Sequence, residues 1–393
     1  MPSTVLLRVD GFGLQYCLAT GPGSAILGSL LFSALFPAPM SVKFLLRVAG
    51  TLLLAWAAAA ACVALHTPLP WMLGPLVATS VLSMAGAPTE SWGPLRNGGQ
   101  WAIGAALGLY FTPEVSALVG SLWWAIVLGI GWALLLGWGF GAWLYRLHAP
   151  RMHGVPASML RSTSYFAGAI GAASEMTLLS ERENARTDLV AASHSLRLLI
   201  VTITIPFALQ WSGLQGLDIL TPTVREVSWP GLALLALLTG AGALVMDRLG
   251  RANPWFMGAM LVSMAVTMAG LHLSAVPQAL VNAAQLVIGV SLGVRFRAEF
   301  LHTAPRWLAS VAVGALGLMG ICAAFAAVLA WATGLPWVTL LLGTSPGGIT
   351  EMAITAKVLQ LGVPVVTAFQ VCRLIAVLML VGPLFRRIYP QQD

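Results

Sequence analysis

Apolar runs of bilayer length recur from residue 44 to residue 386, and they decide what this chain can fold into. A hydrocarbon core about 30 Å thick is spanned by about 20 apolar residues in a helix. Twelve segments stand near that length: 44–65, 70–86, 97–112, 118–145, 155–180 and 187–210, then 230–247, 254–272, 276–295, 307–333, 336–359 and 363–386. They predict an all-α polytopic membrane protein. The chain is 58% hydrophobic and only 8% charged, where a soluble domain carries about 25% charged residues.

The formal net charge of +7 lies mostly in loops, where basic residues orient a membrane protein, so it argues for a lipid bilayer and not for nucleic acid. Cys17, Cys62, Cys322 and Cys372 form no CxxC pair, and the six histidines are dispersed. No His/Asp/Glu cluster has metal-ligand spacing, and there is no P-loop or GxSxG. The reading is of no cofactor, no metal and no enzyme.

The chain is written twice. "LPWMLGPLVATSVLSMAG" (69–86) resembles "NPWFMGAMLVSMAVTMAG" (253–270), and "GQWAIGAALGLYFTPEV" (99–115) resembles "AQLVIGVSLGVRFRAEF" (284–300). "YFAGAIGAASEMTLLSE" (165–181) sets Glu175 on Glu351, Met176 on Met352, His194 on Gln370 and Arg197 on Arg373 without a gap. The expected organisation is an N-terminal extension over 1–42, membrane repeat 1 over 43–211, a polar linker over 212–229 and membrane repeat 2 over 230–388. Residues 1–39 have no counterpart in the second half, and Met40 opens a sound membrane start, so the extension is expected to be dispensable. The Gln100/Gly104/Gly108 and Gln285/Gly289/Gly293 faces read as close helix packing.

Loop charge orients the segments. The basic loops are 145–161, 247–251, 295–306 and the tail 385–390, and basic loops stay cytoplasmic. If all twelve segments cross, 145–161 and 247–251 fall on opposite sides. If the fifth segment of each half is a re-entrant hairpin, every basic loop lies inside. Each half then crosses five times, giving two inverted repeats, each of about five transmembrane helices plus a broken or re-entrant helix, an architecture of many secondary transporters.

Those fifth segments carry the breaks. "GTSPGGITEM" places Thr344, Ser345, Pro346, Gly347 and Gly348 between apolar runs, and Gly168 and Gly171 stand at the matching place in repeat 1. Backbone that leaves the helix at membrane depth survives only inside protein or beside a watery cavity. A half-helix starting after the break turns free N–H groups and a positive dipole end toward it. Thr344 and Ser345 are candidates to cap that half-helix or touch a ligand. Glu175 and Glu351 follow the breaks. Arg197 with His194, and Arg373 with Gln370, stand one helix later, each pair one turn apart. The simplest expectation pairs Glu with Arg within each repeat, either as structural glue or as a pair that opens to take solute or proton.

Through "PWMLGPL" with "PWFMGAM", "GQWAIGAALGLYFTPE", "GTSPGGITEM" and "QVCR", the chain resembles the bacterial AbrB-type membrane proteins, in which an AbrB domain is duplicated. The resemblance covers about residues 43–387. Members are labelled ammonia monooxygenases or regulators, and the architecture is akin to inverted-repeat ion exchangers. The family pattern carries a Ser-Leu-Pro-Gly-Gly break in both halves. Here the first half has Ala169-Ile170-Gly171-Ala172, so a full break is expected only in the second.

The expected function is secondary transport of a small polar or anionic organic solute across the bacterial inner membrane, ion- or proton-coupled, with the site at the two breaks. The alternative is a membrane-embedded ligand sensor or regulator of gene expression. The expected partners are the solute and the bilayer, with room for a homo-oligomer.

Overall fold

The computed structural model describes residues 41–389 apart from His153, 214–225 and 297–303. Residues 1–40 of the N-terminal extension and most of the linker lie outside the described residues. Those described hold fifteen helices and no strand: α1 Val42–Ala64, α2 Pro70–Met84, α3 Gly93–Gly108, α4 Pro113–Ser121, α5 Trp123–His148, α6 Ala157–Gly168, α7 Ala173–Arg182, α8 Thr187–Ser212, α9 Trp229–Arg248, α10 Pro254–Met268, α11 Gln278–Gly293, α12 Pro305–Thr333, α13 Trp337–Thr344, α14 Ile349–Val358 and α15 Val363–Ile388.

Six helices, α1, α5, α8, α9, α12 and α15, are long and apolar enough to cross a membrane, and the bent pair α3–α4 makes a seventh if counted as one span. This is a multi-pass membrane protein. Ten crossings were expected. Helices α2, α10 and α11 have only 15 or 16 residues, about 22–24 Å at 1.5 Å per residue, shorter than the hydrocarbon core. Helix α3, also 16 residues, leads into a 90° bend before α4, where Thr112 caps Val115 N–H and Pro113 opens the new helix.

The short helices pack on one another across the two halves, α2 on α11 and α3 on both α10 and α11. Glycine makes this possible. A Cβ built on Gly104 would lie 2.3 Å from the Phe256 carbonyl oxygen, and one on Gly289 2.6 Å from that of Met72. The entries to α2 and α10 repeat in detail. Leu69 (φ 47°, ψ 53°) and Asn253 (φ 48°, ψ 51°) are both left-handed, each just before Pro at the first helical turn. That conformation costs a non-glycine residue roughly 1–2 kcal/mol. Leu69 is fully buried, so packing holds it there.

Helices α8 and α15 are the most enclosed of the long helices, with half of their apolar windows buried, against 17% for α9. They carry Arg197 and Arg373. One end of the assembly gathers basic segments. Arg161 lies over the rings of Tyr145 and Tyr389, Arg386 pairs with Glu183 at 2.8 Å, and His148 bonds Ser310 at 3.1 Å. The start of α6 and the end of α7 therefore both meet the C-terminal end of α15, so the α6–α7 segment enters and returns at the same end. At the other helix ends, Trp211, Trp229 and Trp331 are strongly exposed.

Candidate functional site

Both expected breaks are present, and they have one geometry. Helix α6 stops at Gly168 and α7 starts after Ala172; α13 stops at Thr344 and α14 starts after Gly348. Ala169 (φ −54°, ψ 139°) matches Ser345 (φ −62°, ψ 148°), and Ala172 (φ −69°, ψ 136°) matches Gly348 (φ −77°, ψ 152°). This corrects the expectation that only the second half breaks fully. The residues at both ends of each break are extended at negative φ, which any L-residue adopts, so repeat 1 keeps the shape without Pro or a second Gly.

The last carbonyls of a helix have no intrahelical partner, and the next long helix supplies donors. In repeat 1, His194 Nε2 donates to Phe166 O at 2.9 Å, and Arg197 donates to Ala169 O at 3.0 Å and to Gly168 O at 3.4 Å. In repeat 2, Gln370 donates to Leu342 O at 2.7 Å, and Arg373 donates to Ser345 O and, at 2.9 Å, to Gly347 O. Phe166 and Leu342 are matched positions, as are Ala169 and Ser345. Arg197 donates to His194 Nδ1 at 2.9 Å, and Arg373 to the side-chain oxygen of Gln370. Donating through Nε2 and accepting at Nδ1, His194 is a neutral ring.

The expected Glu–Arg pairs do not form. The ion pairs among the described residues are Arg47–Glu90, Arg186–Asp188 and Arg386–Glu183. The physical reason is the break itself: a guanidinium fits the negative carbonyl end of a half-helix, while each glutamate sits in the first turn of the half-helix that follows. Glu351 is buried and its carboxylate folds back over its own helix start, where a Cβ on Gly348 would lie 1.9 Å from Glu351 Oε2. Glu175 is half-buried. Nor do Thr344 and Ser345 cap α14. Thr344 Oγ1 turns back to Leu340 O at 2.8 Å, and Ser345 Oγ lies 3.2 Å from both Leu342 O and Met352 Sδ.

The remaining expected residues divide. Pro346 is buried in the second break, beside half-buried Gly347 and Gly348. Gly171 and Gly347 are matched positions, each covered by the methionine five residues on: a Cβ on either would meet Met176 Cε or Met352 Cγ at 2.8 Å. Gly168 is a packing position, since its Cβ would lie 2.4 Å from Gly141 N. Helix α5 runs past both breaks, with Gly137 against Ala169 and Gly129 against Phe369 and Thr344. Eight residues of helix separate those contacts by about 12 Å. Arg197 and Arg373 lie within electrostatic range of each other, and the Arg373 Nε is buried with no partner.

Sequence reasoning missed one feature. A small cleft, with enclosed room for about one water, opens among α2, α8 and the end of α11, lined in part by Ser195, Leu198, Thr202, Leu292 and Arg295. It adjoins the second break through Leu198, whose Cδ1 would lie 3.2 Å from a Cβ on Gly348. The available signal was a mismatch: Arg295 stands where the first repeat has Tyr110. Among the described residues, no three His, Cys, Asp or Glu side chains gather to hold a metal ion.

Comparison with known proteins gives a family match. The family model AbrB, described as "Transition state regulatory protein AbrB", matches residues 71–389. The chain is 26% identical over 329 residues to "Putative regulator AbrB" of Escherichia coli (strain K12), covering 82% of this chain and 91% of that protein. It is 24% identical over 346 residues to "Uncharacterized protein YhjN" of Bacillus subtilis (strain 168), covering 81% of this chain and 87% of that protein.

Proposed function

The chain belongs to the AbrB family, and we propose that it is a secondary transporter of a small anionic or polar organic solute, with its site at the two breaks. The observation that carries this reading is the pair of buried guanidiniums, Arg197 and Arg373, which hold carbonyl dipoles but no described carboxylate, with Arg197 within the field of Arg373. Arginine stays charged in a protein, and buried charge without a counter-ion is costly. An anion seated between the breaks supplies the missing charge. The start of α14 turns its N–H end toward the same place, and the unpaired Arg373 Nε is a donor in reserve. Glu351 stands beside the site as a carrier for a coupling proton, the usual role of an acid at membrane depth.

The clustering of Arg161, Arg386 and the α5 end favours one cytoplasmic face, and with it two inverted repeats in the inner membrane. On this reading the solute crosses unchanged, and the protein is no enzyme. The regulator name of the Escherichia coli relative favours a second reading, a sensor that binds without moving its ligand. Flux separates the two. Purified protein in liposomes, loaded with one of a panel of labelled carboxylates, is expected to exchange at least one of them faster than empty liposomes. Saturable binding of a carboxylate with no flux of any in the panel contradicts transport and leaves the sensor.

A further inference from the structure

The helices sort into two bodies that cut across the repeats. Helices α1–α3 and α9–α11, the first three of each half, pack on one another. Helices α5–α8 and α12–α15 pack on one another and hold both breaks, with Arg197 and Arg373. Direct helix packing between the bodies is concentrated where α14 lies along α3. Helix α4, beyond the 90° bend, touches α10 on one side and α5 and α15 on the other, which is the place of a hinge.

That contact is one-sided, although the chain is written twice. Helices α7 and α14 each pack on the helix before the break and on the long helix after it. Only α14 adds a neighbour from the other body. Among the described residues, α7 has no comparable packing on α11, the helix matched to α3. Burial follows the difference. Ser174, Leu178 and Glu181 form one exposed stripe of α7, with Leu178 52% exposed, whereas the matched Thr350 and Ile354 of α14 are buried and Lys357 is half-buried. A stripe carrying a serine and a glutamate suits water or a partner helix, since lipid tolerates such groups poorly. Helix α7 runs from the first break to the basic end, where Glu183 meets Arg386. The first break is therefore uncovered toward the basic end, and the second is closed at the other end. The small cleft lies on the same parting, between α8 and the end of α11. The matched place, between α15 and the end of α3, is filled by Tyr110, Val371 and Leu378, which pack on the main core.

We infer that this structure is one of two states, and that the body holding the breaks moves as a unit against the other. In the second state α7 lies along α11, and α14 has left α3. The inference rests on the transport reading and deepens it, because it states how one site is shown to each side of the membrane in turn. Inverted repeats supply the means: α11 offers α7 the positions matched to those that α3 offers α14. Both half-helices belong to one body, and α5 runs past both breaks, with Gly137 against Ala169 and Gly129 against Thr344. Closing one end therefore opens the other.

The test is disulfide trapping of the full-length protein in proteoliposomes, in a background without native thiols. Ile354→Cys is paired in turn with Ile103→Cys, Ala106→Cys and Leu107→Cys of α3, all in the main core cluster with Ile354. The matched set pairs Leu178→Cys with Ile288→Cys, Ser291→Cys and Leu292→Cys of α11. A disulfide needs Cα atoms about 4.4–6.8 Å apart, so the second set bridges once α7 has moved onto α11. At least one pair in each set is expected to cross-link most of the protein. Each such cross-link should lower carboxylate exchange at least tenfold, and a reductant should restore it. Leu135→Cys, exposed on α5, should give no cross-link with the same α11 cysteines. Failure of every folded pair in the α7–α11 set, or cross-linking of Leu135→Cys as readily as Leu178→Cys, overturns the inference. Its failure is distinguishable from failure of the transport reading. Exchange without any α7–α11 cross-link keeps the transporter and removes this movement; both cross-links without exchange of any carboxylate do the reverse.

Discussion

Position 194 in one repeat and position 370 in the other hold different side chains, yet each donates an N–H to a backbone carbonyl near the end of its half-helix and accepts from an arginine. The shared role makes a swap possible. His194→Gln is expected to stay within about 0.5 kcal/mol of the unaltered protein, whereas His194→Ala orphans Phe166 O and costs about 1–3 kcal/mol. Thermal unfolding in detergent measures both, and a glutamine no better than alanine would contradict the assignment. The glycines of the second break differ from each other in the same way. Gly347→Ala meets only the flexible Met352 side chain, from Cγ to Cε, while Gly348→Ala must evict the Glu351 carboxylate. We expect near-normal stability for both and a changed pH profile of ligand binding for Gly348→Ala alone. The breaks were legible in sequence because Pro, Gly and a carboxylate interrupt apolar runs. Their chemistry was not. Pairing opposite charges ignores the carbonyls that a stopped helix leaves open, and those carbonyls take the arginines.

At the scale of helices, the repeat was readable wherever it dictates close packing, since glycines at spacings of four mark one face. Gly104 and Gly289 lie backbone against backbone with α10 and α2. Gly104→Ala and Gly289→Ala are therefore expected to destabilise by about 1–3 kcal/mol through overpacking. Gly131→Ala, which meets nothing within 4 Å in the middle of α5, should be neutral or stabilising by up to about 1 kcal/mol. Equal melting temperatures for all three would show that these contacts do not hold the helices. The 90° turn between α3 and α4 was not legible, because Thr112-Pro113 caps a helix whose predecessor had too few residues to declare its end. Nor was the cleft. A cavity is set by how three helices diverge, and only the replacement of Tyr110 by Arg295 within a matched repeat hinted at it.

At the scale of the whole molecule, the charges assemble into two arrangements: a basic end, and an interior where two guanidiniums brace two broken helices. The first makes a topological prediction. Single cysteines replacing the exposed Arg151, Arg251 and Arg387, in a background without native thiols, should label from the same side of the membrane. Opposite labelling of Arg151→Cys and Arg251→Cys would end the inverted-repeat reading. The second arrangement is tested most directly at the break. Uptake of a transported carboxylate into proteoliposomes should be compared, across pH, for the unaltered protein, Gly347→Val, Glu351→Gln and the remote control Gly131→Ala. The site at the breaks requires that Gly347→Val lose at least tenfold in uptake while still folding, that Glu351→Gln flatten the pH profile, and that Gly131→Ala match the unaltered protein. Full uptake with an unchanged pH profile in both Gly347→Val and Glu351→Gln would contradict it and leave the breaks as packed kinks.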